Sequence, residues 1–149
     1  MKLDKETFLQ IIKSTPLVSI DLLVKNNSKI LLGKRVNEPA KGYWFVPGGR
    51  VYKDETLDDA FLRLSKEALG LELRREESRF YGLYEHFYKN SVFDDSIATH
   101  YIVLAHEVDT DMDVDVNSQH EIYRWFEVDE LLRDDSVHRY TKDYFKKVK

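Results

Sequence analysis

Cysteine is absent from the chain, so no disulfide framework can be read from it and thiol usage leaves its compartment open. No apolar run reaches the roughly 18 residues that a membrane-spanning helix needs, and Met1-Lys2-Leu3-Asp4 opens no secretory leader. A cytoplasmic setting without a membrane partner is therefore expected. A basic excess is missing too: the net charge of -4 argues against broad nucleic-acid binding, which wants a basic face. It leaves room for a compact anionic ligand held by a few local arginines. What is present suffices for a core: 42% of the 149 residues are hydrophobic and 34% charged, which suits one domain over residues 1–149. A chain of that length buries about two thirds of the surface that its unfolded form exposes.

The periodicity predicts a mixture of helices and strands. Asp4 caps a short helix over about residues 5–13, with Phe8, Ile11 and Ile12 on one side, stopped by Ser14-Thr15-Pro16. Two apolar runs, 17–24 and 30–32, flank the turn-rich Lys25-Asn26-Asn27-Ser28-Lys29 and read as a β-hairpin. Residues 36–44 read as a loop ending on the Pro47-Gly48-Gly49 corner. Leu57, Ala60, Phe61, Leu64 and Ala68 recur at helical spacing over 56–69, and Gly70 is the stop. Further strands are predicted at 79–88, 97–108 and 122–126. Asp129 then caps a short helix, and 137–147 form a last one. No internal repeat is visible, and the Asp-rich segment 109–115 reads as a solvated surface loop. This order fits an α/β (α+β) fold with a mixed sheet sandwiched between helices.

The chemistry concentrates in Gly48-Gly49-Arg50-Val51-Tyr52-Lys53-Asp54-Glu55 and the helix that follows. Paired glycines let backbone groups approach an ion or phosphate without a Cβ in the way, and an acid-rich loop feeding an amphipathic helix adds oxygen ligands. Phosphate and metal are the implied ligands.

Gly49, Glu55, Arg63 and Gly70 stand at a spacing, G-x5-E-x7-R followed by a glycine and an apolar residue, that resembles the box of the Nudix hydrolases. The resemblance implies the Nudix fold and Mg2+-dependent cleavage of nucleoside diphosphates linked to another group. The helix half departs from it: where the family reads R-E-apolar-x-E-E, this chain reads Arg63-Leu64-Ser65-Lys66-Glu67-Ala68, without two of the three carboxylates. Gly33-Lys34-Arg35, residues 42–51, Lys53-Asp54-Glu55-Thr56-Leu57, Thr99-His100-Tyr101 and Gln119-His120 are similar to the GDP-mannose mannosyl hydrolase branch, which also has Leu after the box arginine. That branch implies water attack on the sugar carbon with inversion, releasing GDP and mannose.

The resemblance also implies roles. Gly48 through its carbonyl, Glu67 and Gln119 would hold one Mg2+, Glu67 standing one residue before the branch's own glutamate position, which is Ala68 here. A step of one residue is about 100° around a helix, and pairing with Arg63 at i-4 is the other reading of Glu67. His120 would be the general base, an imidazole with an unperturbed pKa near neutrality. Arg35 and Arg50 would take the diphosphate, as guanidinium groups offer paired donors. Tyr101 would donate to the leaving phosphate, and Asp21, an acid inside an apolar strand, would hold a sugar hydroxyl or an arginine. Lys2, Leu3, Phe8, Arg35, His86 and Tyr101 would contact substrate, Phe8 by stacking on the base from a helix that reaches the partner of a homodimer. Gly49, Glu55, Arg63 and Gly70 would be structural, with Arg63 bracing the loop through Glu55. Periodicity buries Leu64 and Ala68 in the core, whereas the box turns them toward the metal loop and sends Ser65 inward; the box is followed here. Two other readings stand beside this one: a nucleoside-diphosphate-sugar pyrophosphatase attacking phosphorus, and a degenerate domain that only binds a nucleotide sugar.

Overall fold

The computed structural model describes residues 2–111 and 122–146. Helix α1, Lys5–Ser14, begins where Asp4 accepts from the Thr7 amide at 3.3 Å and stops at the extended Thr15, ahead of Pro16. Strands β1, Leu17–Asn26, and β2, Lys29–Lys34, form the expected hairpin. Asn27 takes the left-handed conformation in its turn, φ 56°, which asparagine tolerates better than most residues. Two short strands follow, β3 at Trp44–Phe45 and β4 at Gly48–Arg50, then α2 at Leu57–Leu69 and a 3-10 turn at Arg75–Glu77. The long strands β5, Arg79–Tyr88, and β6, Thr99–Asp109, precede β7, Ile122–Glu127, and two short helices, α3 at Val128–Arg133 and α4 at Arg139–Asp143.

The sheet is mixed and splits down its middle. Strand β1 runs parallel to β6 from Leu17 beside Tyr101 to Lys25 beside Asp109, and β5 continues antiparallel on the far side of β6. Strand β2 meets β1 only at the hairpin end, then diverges to pair with β7 and β3. Into the opening comes β4, antiparallel to β1 at Ser19–Asp21. The glycine corner is thereby stitched to the central strand.

Alternation along β1 sends Ile20, Leu22 and Val24 to one face, where they meet Phe61, Leu64 and Leu69 of α2, and Leu23 to the other. That second face joins Leu23 to Val46, Phe126, Leu131 and Tyr144 under α3 and α4. Each fully buried side chain of this kind contributes roughly 1.5–3 kcal/mol. Helices on both faces of a mixed sheet give the α+β layering expected.

The sequence expectations need correction at several points. Asp129 does not cap α3: the helix starts at Val128 with Glu127 in the capping position, so Asp129 lies in the first turn, where its charge interacts favourably with the helix dipole. The last helix is shorter than 137–147: α4 starts only after His138, whose Nδ1 accepts from the Tyr140 amide at 3.1 Å, while Val137 is buried and bridges to Trp44. Strands β3 and β4 lie within a stretch read as loop and corner, because two or three residues carry no readable period. Of the acidic segment 109–115, Asp109 ends β6 and residues 112–115 lie outside the described part.

Candidate active site

The box loop is built around one fork. Arg63 donates from Nε to Glu55 Oε2 at 2.8 Å and from Nη2 to Oε1 at 2.9 Å, and the same Nη2 reaches the Arg50 carbonyl at 2.9 Å. Glu55 Oε1 also accepts from the Tyr52 amide at 3.0 Å. These bonds hold the Glu55 carboxyl below its ordinary range and raise the Arg63 guanidinium further. The loop then enters α2 through Thr56, whose hydroxyl accepts from the Asp59 amide at 3.1 Å, and leaves it through Gly70 in the left-handed region, φ 68°.

Both corner glycines are set by close approach rather than by their dihedral angles, Gly48 against backbone and Gly49 against a side chain. A Cβ on Gly48 would sit 2.4 Å from the Ile20 carbonyl oxygen and 2.6 Å from Asp21 Oδ1; one on Gly49 would sit 2.6 Å from Leu64 Cδ2. Leu64 is thus both a core residue and the floor of the glycine corner. Ser65 is fully buried, donating to the Leu62 carbonyl at 2.9 Å and accepting from the Leu73 amide at 3.0 Å. Periodicity and the box, which appeared to compete over this face, describe the same packing.

Three adjoining clefts run across the corner, and Arg35 lines all of them. The first, about 350 Å³, lies between Gly48 and the last turns of α2, with Glu67, Ala68, Phe45 and Tyr123 on its walls. The second, about 90 Å³, is walled by Ser19, Asp21, Arg50, His86, Tyr88 and Tyr101. The third, about 220 Å³, extends toward α1 between Phe8, Glu38, Arg50 and Tyr101. Arg35 is anchored by its Nε to the Pro39 carbonyl at 2.8 Å.

Burial shapes the titration of the inner cleft. The Asp21 carboxyl is pushed up to about 6 by burial, against the opposing pull of a hydrogen bond from Tyr144 and the nearby Arg35 charge. His86, buried and stacked on Tyr140 at 4.2 Å, is pushed down to about 4 by burial and, secondarily, by His138. It is neutral at pH 7. Burial also raises Tyr101 and Tyr88; Arg35 pulls both back, and Arg50 also pulls back Tyr101.

Of the residues singled out from the sequence, the structure brings Asp21, Arg35, Gly48, Gly49, Arg50, Glu67, His86 and Tyr101 to these connected clefts, and Phe8 to their outer end. Glu67 lines the first cleft while pairing with Arg63 at 3.3 Å, its side chain 58% exposed. Both sequence readings of Glu67 are therefore compatible with its position. Lys2 is exposed and Leu3 half-buried. Gln119 and His120 lie outside the described residues. Sequence reasoning missed Tyr88, Phe45 and, in and beside α4, His138, Tyr140 and Tyr144. The alternation Tyr84, His86, Tyr88 along β5 was the available signal, since all three rings meet Tyr140 or Tyr144, in and just after α4.

Among the described residues, no group of three or more His, Asp or Glu gathers around a point that would hold a metal. The donors on the first cleft are oxygens only, the Glu67 carboxylate and the backbone of exposed Gly48. That chemistry fits a hard cation such as Mg2+ that keeps several waters.

A family model for the NUDIX domain matches residues 15–146. The low-salt glycan biosynthesis protein Agl8 of Haloferax volcanii is 45% identical over 118 residues, 78% of this chain and 74% of that protein. An ADP-ribose pyrophosphatase of Methanocaldococcus jannaschii is 45% identical over a shorter stretch of 56 residues, 38% of this chain and 33% of that one. The crystal structure of a MutT NUDIX hydrolase from Burkholderia pseudomallei superimposes with a TM-score of 0.70 at 24% identity, covering 91% of this chain and all of that one; at that identity the likeness speaks to fold. Nudix hydrolases generally use divalent metal ions such as Mg2+, in keeping with the oxygen donors of the first cleft. With its box fork, its glycine corner against the central strand and its mixed sheet between helices, the chain belongs to the NUDIX domain family of hydrolases.

Proposed function

We propose that this chain is a Mg2+-dependent GDP-sugar hydrolase, taking GDP-mannose or a close GDP-hexose to GDP and free sugar by inverting attack of water at the anomeric carbon. The observation that carries the reading is the poverty of α2 in carboxylates facing Gly48. Leu64 is committed to the core and Ala68 offers no ligand, which leaves Glu67. One ion suffices to neutralise a leaving diphosphate, whereas a phosphorus attack that also needs an activated metal-bound water favours more carboxylates. An oxocarbenium-like departure asks chiefly for a stabilised leaving group. Arg35 and Arg50 supply that stabilisation along the shared trough, with Tyr101 donating beside them. Asp21 and neutral His86, in the small inner cleft, suit sugar hydroxyls.

Mg2+, when bound, would draw on the Gly48 carbonyl and Glu67, with Gln119 completing the set and His120 as base on the strength of the branch resemblance. The proposal extends to one domain over 1–149, from its length, and to a cytoplasmic setting, from the composition; the branch resemblance adds a homodimer. The glycan-biosynthesis name of the haloarchaeal relative favours sugar chemistry. The ADP-ribose pyrophosphatase likeness keeps a second reading alive, attack on phosphorus giving a nucleoside monophosphate and a sugar phosphate. Product analysis after incubation with GDP-mannose and Mg2+ in heavy-oxygen water separates them. The expected result is label in mannose and unlabelled GDP; label in a phosphate establishes the second reading.

A further inference from the structure

Phe8, Arg50, Tyr52 and Arg63 form a column that ties α1 to the box helix. The Arg50 guanidinium lies over the Phe8 ring, 4.8 Å from its centre, and over the Tyr52 ring at 4.7 Å. Tyr52 in turn carries the Arg63 guanidinium at 3.7 Å. Phe93 meets Phe8 edge-on, with ring centres 6.4 Å apart, and steadies it from the outside. The column thus joins α1 to β4 and α2, which lie more than thirty residues further along the chain.

A guanidinium laid on a ring face is attracted by the ring's quadrupole and loses its freedom to swing, so its N–H donors are held in one plane. Arg50 lines both the inner and the outer cleft, so the plane in which it is held decides where its donors point. Phe8 lines only the outer cleft and is half-buried there. We infer that Phe8 is a positioning residue for Arg50, holding the guanidinium in the plane that meets a diphosphate, and that it does so within its own chain. The inference rests on the reading of Arg50 as a diphosphate ligand.

The test measures Kd by calorimetry, with Mg2+ present, for two probes: GDP and methylenediphosphonate, which keeps the two phosphorus groups and has no base. Phe8→Leu is expected to weaken both by the same factor, roughly 2- to 30-fold for one cation–π contact. Phe8→Trp, which keeps an aromatic face, is expected to restore both. In an Arg50→Met background, Phe8→Leu is expected to add nothing. A loss confined to GDP would make Phe8 a base-stacking residue and overturn the inference. So would equal losses in Phe8→Leu and Phe8→Trp, which mark a merely structural role. Unchanged diphosphonate binding in Arg50→Met alone would remove the reading of Arg50, and the inference with it.

Discussion

The Tyr144 hydroxyl donates to Asp21 Oδ2 at 2.5 Å, joining the segment after α4 to the middle of the central strand. Asp21 Oδ1 lies against Gly48, and the Tyr144 carbonyl accepts from the Tyr81 hydroxyl. The C-terminal segment therefore backs Asp21, a residue of the inner cleft's wall. It holds a carboxyl that the protein would be more stable without.

That tension gives the first expectation. The Asp21 carboxyl is raised from 3.8 to about 6 by burial, so its contribution is most favourable below pH 3.8 and is lost as pH rises through 6. Above pH 6 the buried charge costs on the order of 3 kcal/mol. Asp21→Asn keeps an acceptor for Tyr144 and removes the charge. It should raise the Tm at pH 8, with the gain shrinking to nothing near pH 4, while lowering hydrolysis of GDP-mannose at pH 8. Thermal melts across that pH range check the first part; a Tm at pH 8 equal to the parent's would mean that Asp21 is not paying a burial penalty.

His86 and His138 titrate in the opposite sense. Both are pushed down to about 4, chiefly by burial, from 6.5. The stability they carry is complete above pH 6.5 and is lost as pH falls through 4. His86, the more buried, carries on the order of 3 kcal/mol of it. His86→Phe, which keeps a ring against Tyr140, should flatten the fall in stability between pH 6.5 and 4. Asp21→Asn should steepen it, because protonation of Asp21 partly offsets the histidines in the same window. Denaturant unfolding at half-unit pH steps measures both slopes.

The adjacent corner glycines should respond unequally to alanine. At Gly48 the new Cβ meets a backbone carbonyl and the Asp21 carboxyl, neither free to retreat; at Gly49 it meets the end of the Leu64 side chain, which can rotate. Gly48→Ala is expected to cost about 3 kcal/mol or more, and Gly49→Ala about 1 kcal/mol. Urea unfolding of the two variants decides it, and equal costs would contradict the packing described.

Long elements were legible in the sequence because their periods are long enough to read. The strand at 79–88 and the helix through Leu69, with Gly70 as its stop, fall where the pattern puts them. The short β3 and β4 were not, since their pairing is decided by distant partners, Gly48 by Asp21 and Trp44 by Val137, and α4 was legible only with bounds that were too wide. The box fork was legible because its spacing is local. Tyr144 was not, because nothing in a lone tyrosine near the C-terminus announces an aspartate in the first strand. The Leu64 puzzle was an artefact of treating core and loop as alternatives, when Gly49 lets one side chain serve both.

The departure at the end of the box gives the last expectation. Glu67 is exposed and pairs with Arg63 one helical turn away, and such exposed pairs contribute only about 0.3–0.5 kcal/mol. Glu67→Gln should therefore leave the Tm nearly unchanged. Glu67 also faces the Gly48 cleft beside Ala68, so the same change should raise the Mg2+ concentration for half-maximal activity by about 10-fold or more. Ala68→Glu adds a second carboxylate to that wall and should lower it, at a cost in stability because Ala68 packs against the α2 core. Mn2+ binding followed by electron paramagnetic resonance reads metal affinity apart from turnover. If Glu67→Gln leaves that affinity unaltered and Ala68→Glu creates it, Glu67 is only the partner of Arg63, and the native helix contributes no ligand to the ion.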